Sequence, residues 1–317
     1  MDMEPERKQY KEMKTKNREM KANRVKTSTG EQILYGINII LITLAMLICV
    51  YPFYYMVIYS LSDTSKALSG IYLLPKGFTT YAYQWIFKNS DFGHAFLISG
   101  SRTVIHTVLC LVGSSLFAYL VTQKDMIGRK FVYRFVVITM YLGAGLVPYY
   151  ITMRTYHLNN SFFLYIIPGI INAYYVILIK TFIEQIPDSL EESARMDGAG
   201  FFRIYRSIIL PLSKPIIATV AVYASVAAWN SWQDNYLLVR DSNLQTVQLI
   251  LYTCINQAQQ IADSMKSGII SGEGAFTLSA DSVRMATTIV AVFPIMMVYP
   301  FLQKYFVKGV MMGAVKG

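Results

Sequence analysis

Charge is what this chain has least of. Only 15% of its 317 residues are Asp, Glu, Lys or Arg, while 54% are hydrophobic. A soluble domain carries roughly 25% charged and 45–50% apolar residues, so an ordinary water-soluble enzyme is excluded. Cysteine is equally scarce: Cys49, Cys110 and Cys254 lie far apart and form no CxxC pair, which supports neither a disulfide framework nor a zinc ribbon. His94, His106 and His157 stand in separate segments, and no His/Cys/carboxylate spacing points to a metal. The chain has no Gly-x-x-x-x-Gly-Lys-Ser/Thr loop to cradle a nucleotide. It has no Gly-x-Ser-x-Gly turn and no carboxylate pair within an apolar run, so hydrolytic chemistry is unsupported too.

Long apolar runs take the place of charge. About 20 mostly apolar residues cross roughly 30 Å of hydrocarbon. Runs of that kind predict six membrane spans, near 36–58, 96–121, 131–152, 162–183, 213–232 and 285–306. The fifth is dominated by Ala218, Ala221, Ala224, Ala227 and Ala228; small residues allow close helix approach, so it belongs inside a bundle. Residues 1–35 read as a basic cytosolic segment and 36–317 as the membrane domain. A cleaved signal is not expected, because 1–30 are polar and the first apolar run is too long.

The charge that exists is unevenly placed. Lys and Arg number 29 against 19 acids, with nine of the basic residues in the first thirty positions. With the N-terminus inside, 21 basic residues fall on the cytosolic side and eight outside, the latter including Lys66, Arg102, Arg154 and Arg240. That asymmetry predicts both termini in the cytosol. It also explains the basic excess as orientation and contact with anionic lipid, with no nucleic acid required. Two outer segments, 59–95 and 233–284, are long enough to dock an external partner. No internal repeat supports an inverted-repeat carrier.

The segment between spans four and five has its own pattern. Pro187 suits a first helical position, and Asp188, Glu191 and Glu192 follow where negative charge favours a helix start. Gly198 and Gly200 stop that helix. A second short helix then carries Phe201, Ile204, Tyr205, Ile208 and Leu212 at 3–4 spacing, closed by Pro211 and Pro215. The result is a helix–turn–helix along the cytosolic membrane surface.

This segment resembles the signature of the permease subunits of bacterial carbohydrate-uptake ABC importers. The family pattern is Glu-Ala-Ala, three residues, Gly, nine residues, Ile, one residue, Leu-Pro. Here it reads Glu192-Ser193-Ala194, Gly198, Ile208 and Leu210-Pro211 with every spacing kept, and Asp197-Gly198-Ala199 supplies the Asp-Gly-Ala of sugar members. Ser193 in place of Ala is the one departure. Leu146-Val147-Pro148, Trp229-Asn230, Thr246-Val247-Gln248-Leu249 and the Gly-rich end 309–317 are similar to the maltose-type and complex-oligosaccharide branch.

The resemblance implies an all-α integral membrane protein with a type I importer permease fold and a cytosolic coupling helix in a bacterial cell membrane. It implies an ATPase-coupling set of Glu191, Glu192, Ser193, Ala194, Asp197, Gly198, Ala199, Ile208, Leu210 and Pro211. The implied partners are a second homologous permease, two ATP-binding subunits and an extracellular substrate-binding protein, with ATP and Mg on the ATPases and no cofactor on this chain. Sugar passage favours aromatic faces and amides, which makes Asn172, Tyr174, Tyr175, Tyr223, Trp229 and Asn230 pathway candidates, although Tyr and Trp also serve as interface anchors. A permease for a non-sugar solute and an autonomous ion-coupled carrier are the alternatives. The carrier would need intramembrane carboxylates, of which the spans hold almost none. His106, inside span two, reads either as a pore residue or, more simply, as a packed interhelical histidine.

Overall fold

The structure is a computed structural model, and it describes residues 29–63, 66, 73–88, 91–266 and 280–314. The expected basic segment, apart from its last residues, and the turn-rich stretch 267–274 lie outside the described residues. The chain divides into two compact units, Met1–Tyr55 and Met56–Gly317. Among the described residues the architecture is all-helical, and the one β feature is an isolated bridge between Ser62 and Phe78.

Helix α1 (Thr29–Ser60) carries Pro52 inside it. Its apolar side chains from Ile33 to Tyr54 are mostly exposed, as suits a surface that lipid would cover. Then follow α2 (Tyr81–Lys88), α3 (Phe92–Thr122), α4 (Arg129–Tyr141), α5 (Leu146–Thr155), α6 (Ala173–Ile183), α7 (Asp188–Met196) and α8 (Phe201–Leu212). The chain ends with α9 (Lys214–Asn230), α10 (Gln233–Leu238), α11 (Val247–Lys266) and α12 (Ala280–Ala314). Two described helices are long and apolar enough to cross a membrane, at Gly30–Ser60 and Phe92–Thr122. Two bent pairs qualify if each counts as one span: Phe162–Gly169 with α6, bent by 43°, and α8 with α9, bent by 81°.

The run expected as one span at 131–152 is interrupted. Its helices α4 and α5 are separated at 142–145, where Gly145 adopts φ +81°. That positive φ is open to glycine and strained for other residues. The run at 162–183 opens as 3₁₀ turns (Phe162–Tyr165 and Ile167–Gly169) before α6 begins, because Pro168 cannot donate into a helical ladder. The helix α12 covers 285–306 and holds Pro294 and Pro300.

The main core of the second unit lies where α3, α6, α8 and α9 meet, around Cys110, Tyr119, Val176, Ile179, Ile204 and Val220. The small residues of α9 let it pack extensively on α3, and Ala224 is buried there. Glycine makes a second close approach possible. A Cβ on Gly113 would lie 2.7 Å from the Ile170 carbonyl oxygen, so α3 runs directly against the break before α6. Two helical turns earlier on α3, the His106 ring packs against Gly169, where a Cβ would collide with it. His106 is thus a packed histidine between α3 and the 3₁₀ turn. Further clusters join α2, α3, α11 and α12 around Ile86 and Val283, and α5, the 162–166 turn and α10 around Leu164 and Leu238.

Candidate functional site

The helix α7 has a defined beginning and end. Pro187 sits at its N-cap with ψ 128°, one residue before the position expected for it, and Leu190 N–H reaches the Pro187 carbonyl at 3.2 Å. Asp188 and Glu191 occupy the first turn and Arg195 the last, each matching the helix dipole. At the other end Gly198 takes φ +78°, its N–H bonds the Arg195 carbonyl at 3.0 Å, and Ala199 N–H bonds Ala194 O at 2.9 Å. This paired termination needs a left-handed residue after the cap, so glycine at 198 is a backbone requirement. No atom lies within 4 Å of a Cβ placed on it, so its second property is an open face.

The motif residues divide by direction. Ala194, Ala199, Ile208 and Leu210 are half-buried and pack against the main core. Glu192, Ser193, Asp197, Gly198 and Pro211 are exposed, and Met196 beside them is 88% exposed. The adjacent carboxylates therefore do different work. Glu191 accepts hydrogen bonds from Tyr119 Oη and Arg195 Nη2, both at 3.0 Å. Glu192 faces outward. Arg195 also donates to Asp125 at 2.8 Å and to Gln123 Oε1 at 2.5 Å, while Lys124 pairs with Asp188 at 2.6 Å. The Asp188 carboxylate holds the Lys124 ammonium above its ordinary pKa, and Asp125 and Glu191 do the same for the Arg195 guanidinium.

The following helix α8 is not the regular amphipathic helix that the spacing predicts. Its middle, Tyr205–Ile209, is a π-helical turn. Pro211 has no N–H to continue the ladder, and Pro215 restricts the residue before it, so the chain turns sharply into α9. Of the expected apolar face, Ile204 and Tyr205 are buried, whereas Phe201 and Leu212 are partly exposed. Phe202, not singled out by the spacing, is 63% exposed beside α7.

The pathway candidates split in the same way. Asn172 caps α6, its Oδ1 accepting from Tyr174 N and Tyr175 N at 3.0 and 3.3 Å. Tyr175 is buried in the main core, and buried Trp229 donates Nε1–H to the Ala291 carbonyl at 3.2 Å. Those three have structural work. Tyr174, Tyr223 and Asn230 are exposed, with Asn230 Oδ1 accepting from Gln248 at 3.4 Å. An apolar cavity of about 260 Å³ lies between α3, α9 and α12, lined by Phe96, Val104, Val222, Trp229 and Pro294 among others.

One charge pair escaped sequence reasoning. Arg102, counted there with the outer loops, is buried inside α3 and bonds Asp234 at 2.5 Å and the Ser231 carbonyl at 3.1 Å. Its guanidinium lies 4.5 Å from the centroid of the Tyr165 ring. Tyr165 in turn bonds the Leu244 carbonyl at 2.7 Å and contacts Asn235. Together these tie α10 to α3 and to the 162–165 turn.

Helices long enough to cross a membrane and a short polar helix with an open outer face are the features of a membrane transport subunit. The model of the binding-protein-dependent transport system inner membrane component family matches residues 20–312. The chain belongs to that family and is a non-catalytic permease subunit of an ABC importer. It is similar to the polygalacturonan/rhamnogalacturonan transport system permease protein YtcP of Bacillus subtilis (strain 168), at 34% identity over 92% of this chain and 100% of that protein. It is also similar to protein LplC of the same organism, at 32% identity over 85% of this chain and 90% of that one. Among solved structures, the crystal structure of a bacterial ABC transporter involved in the import of the acidic polysaccharide alginate matches with a TM-score of 0.73 and 27% identity, covering 88% of this chain and 99% of that one. As a member of this family the chain is an inner membrane component, and its importer class implies a partner permease, an ATPase and a substrate-binding protein.

Proposed function

We propose that this chain forms half of the translocation pathway for an oligosaccharide and is driven by separate ATPase subunits through the segment 187–211. Residues 1–35 form the cytosolic N-terminal segment and 36–317 the membrane domain. The six spans run near 36–58, 96–121, 131–152, 162–183, 213–232 and 285–306, and both termini lie in the cytosol. The third and fourth spans are built from broken helices, which a bundle tolerates where neighbours satisfy the freed backbone.

The observation that carries the reading is the two-sided build of the segment 187–211. Ala194, Ala199 and Leu210 face inward to the core, while Glu192, Ser193, Asp197 and Gly198 face outward. A carboxylate beside an open glycine turn suits a basic cleft on a partner, and a small serine permits close approach. Two copies of the ATPase then bind and hydrolyse ATP with Mg, one against each permease, and their closure moves α7. The names of the sugar-transporting relatives and the acidic polysaccharide carried by the matching transporter support the substrate class. Tyr174, Tyr223 and Asn230 remain as pathway residues. Asn172, Tyr175 and Trp229 hold the helices that carry them.

Purification of a tagged chain in nanodiscs, followed by mass spectrometry, tests the assembly. An ATPase and a second permease recovered in stoichiometric amounts support it. Recovery of the folded chain alone contradicts it.

A further inference from the structure

The coupling segment is attached to the rest of the protein in two ways. One is covalent, from α6 through residues 184–187 on one side and through Gly198, Gly200 and α8 into α9 on the other. The other is a set of side-chain contacts to the last two turns of α3 and the residues just after it. Ser115, Tyr119 and Gln123 are spaced i, i+4 and i+8, which sets them on one face. Every one of the three meets the coupling segment. The hydroxyls of Ser115 and Tyr205 are 2.7 Å apart. Tyr119, fully buried, donates to Glu191 and stacks on Phe201 and Tyr205 at centroid distances of 4.6 and 5.6 Å. Gln123 accepts from Arg195 at 2.5 Å. Arg195 is the hub: its two terminal nitrogens hold Gln123, Asp125 and Glu191 together, and Lys124–Asp188 closes the other end of α7.

We infer that Arg195 and Tyr119 are positioning residues that clamp the coupling helix to α3, so that α7 and this end of α3 move as one body during transport. This rests on the proposed coupling role of the segment and adds a route for the motion. A push on the exposed face of α7 enters α3 directly, through a contiguous row of hydrogen bonds and stacked rings. It need not pass through the glycine turn at 198–200 and the π turn of α8, both of which would dissipate it. Coupling between separated sites is carried by chains of packed side chains and hydrogen-bond networks joined to rigid helices. The buried Tyr119 ring, stacked on Phe201 and Tyr205, provides such a chain, and the half-exposed Arg195 guanidinium adds direction by holding three acceptors. Glu191 then serves the clamp and Glu192 serves the partner, which explains why neighbouring carboxylates point to opposite sides.

The test uses the assembled importer in proteoliposomes, with the probe a labelled oligogalacturonide taken up from the binding-protein side. Recovery of the ATPase with the wild-type chain is measured first, since its failure would remove the coupling role itself and leave the clamp without a task. Arg195→Ala and Tyr119→Phe are expected to keep that recovery and the KM for ATP while lowering sugar transported per ATP about tenfold. Arg195→Lys, which keeps charge without the fork, recovers part of it. A parallel loss of transport and hydrolysis, or no loss of either, overturns the inference.

A second arm distinguishes a rigid joint from one that opens. In a chain with Cys49→Ser, the pair Gln123→Cys and Arg195→Cys is bridged by a short bis-maleimide. Bridging is expected to bring transport back above the level of the unbridged double variant. A bridge that blocks transport shows that the joint must open, and it overturns the inference.

Discussion

Removing one partner of the Arg102–Asp234 pair should cost far more than removing both. The two side chains are 5% and 12% exposed, and their nearest atoms are 2.5 Å apart. Asp234→Asn keeps the shape and the Ser231 contact but leaves the guanidinium without its counter-charge in a buried site. Breaking a buried pair in that way costs about 3–5 kcal/mol. At 1.4 kcal/mol per decade this raises the opened population by roughly 10²-fold to several thousandfold. The double change Arg102→Met with Asp234→Leu removes both charges and their desolvation together, and should fall within about 1–2 kcal/mol of wild type. Buried cysteines supply the assay: Cys110 and Cys254 are 0% and 4% exposed, so in a Cys49→Ser background a thiol-reactive dye reports unfolding in detergent. Faster labelling of Asp234→Asn than of the double variant is the expected order. Asp234→Asn within 0.5 kcal/mol of wild type would refute the reasoning, because the pair would then be carrying no buried charge.

Other residues make sharper, smaller tests. Gly113→Ala should destabilise by about 1–3 kcal/mol, read in the same dye assay, because its Cβ would lie 2.7 Å from the Ile170 backbone. Asn172→Ala should cost about 1 kcal/mol by removing the α6 cap, and Asn172→Ser, an uncharged cap, should recover most of it. Glu192→Lys should leave stability unchanged within about 0.5 kcal/mol, as befits an exposed position, yet abolish recovery of the ATPase. Gly198→Ala should strain the left-handed turn by about 1–2 kcal/mol and reduce uptake, with Gly198→Asn milder than Ala.

What could be read from the sequence was whatever repeats locally. Runs such as Leu41–Leu47 and Leu116–Val121 announce apolar helices, and Pro187, Gly198 and Gly200 announce the bounds of the short helix Asp188–Met196. The break at 142–145 had a visible signal in Gly143-Ala144-Gly145 followed by Pro148, but hydropathy alone runs through it. Arg102 was not legible, because its partner Asp234 is 132 residues away and only tertiary packing joins them. The contrast between Glu191 and Glu192 was hidden for the same reason: it depends on where Tyr119 of α3 lies. Asn172 and Trp229 are pathway candidates by residue type alone, and their further engagement with the backbone, as an N-cap and as an indole donor, was hidden because it depends on packing.

The central claim is that movement of substrate is powered through the segment 187–211 by ATP on a partner. The direct measurement is oligosaccharide uptake by the reconstituted importer, with ATP enclosed on the side of the coupling segment, compared with the Gly198→Asp chain. Uptake is expected to need ATP and the binding protein, and to disappear in Gly198→Asp while the subunit stays in the membrane. Uptake driven by a proton or sodium gradient without ATP, or undiminished in Gly198→Asp, would contradict it.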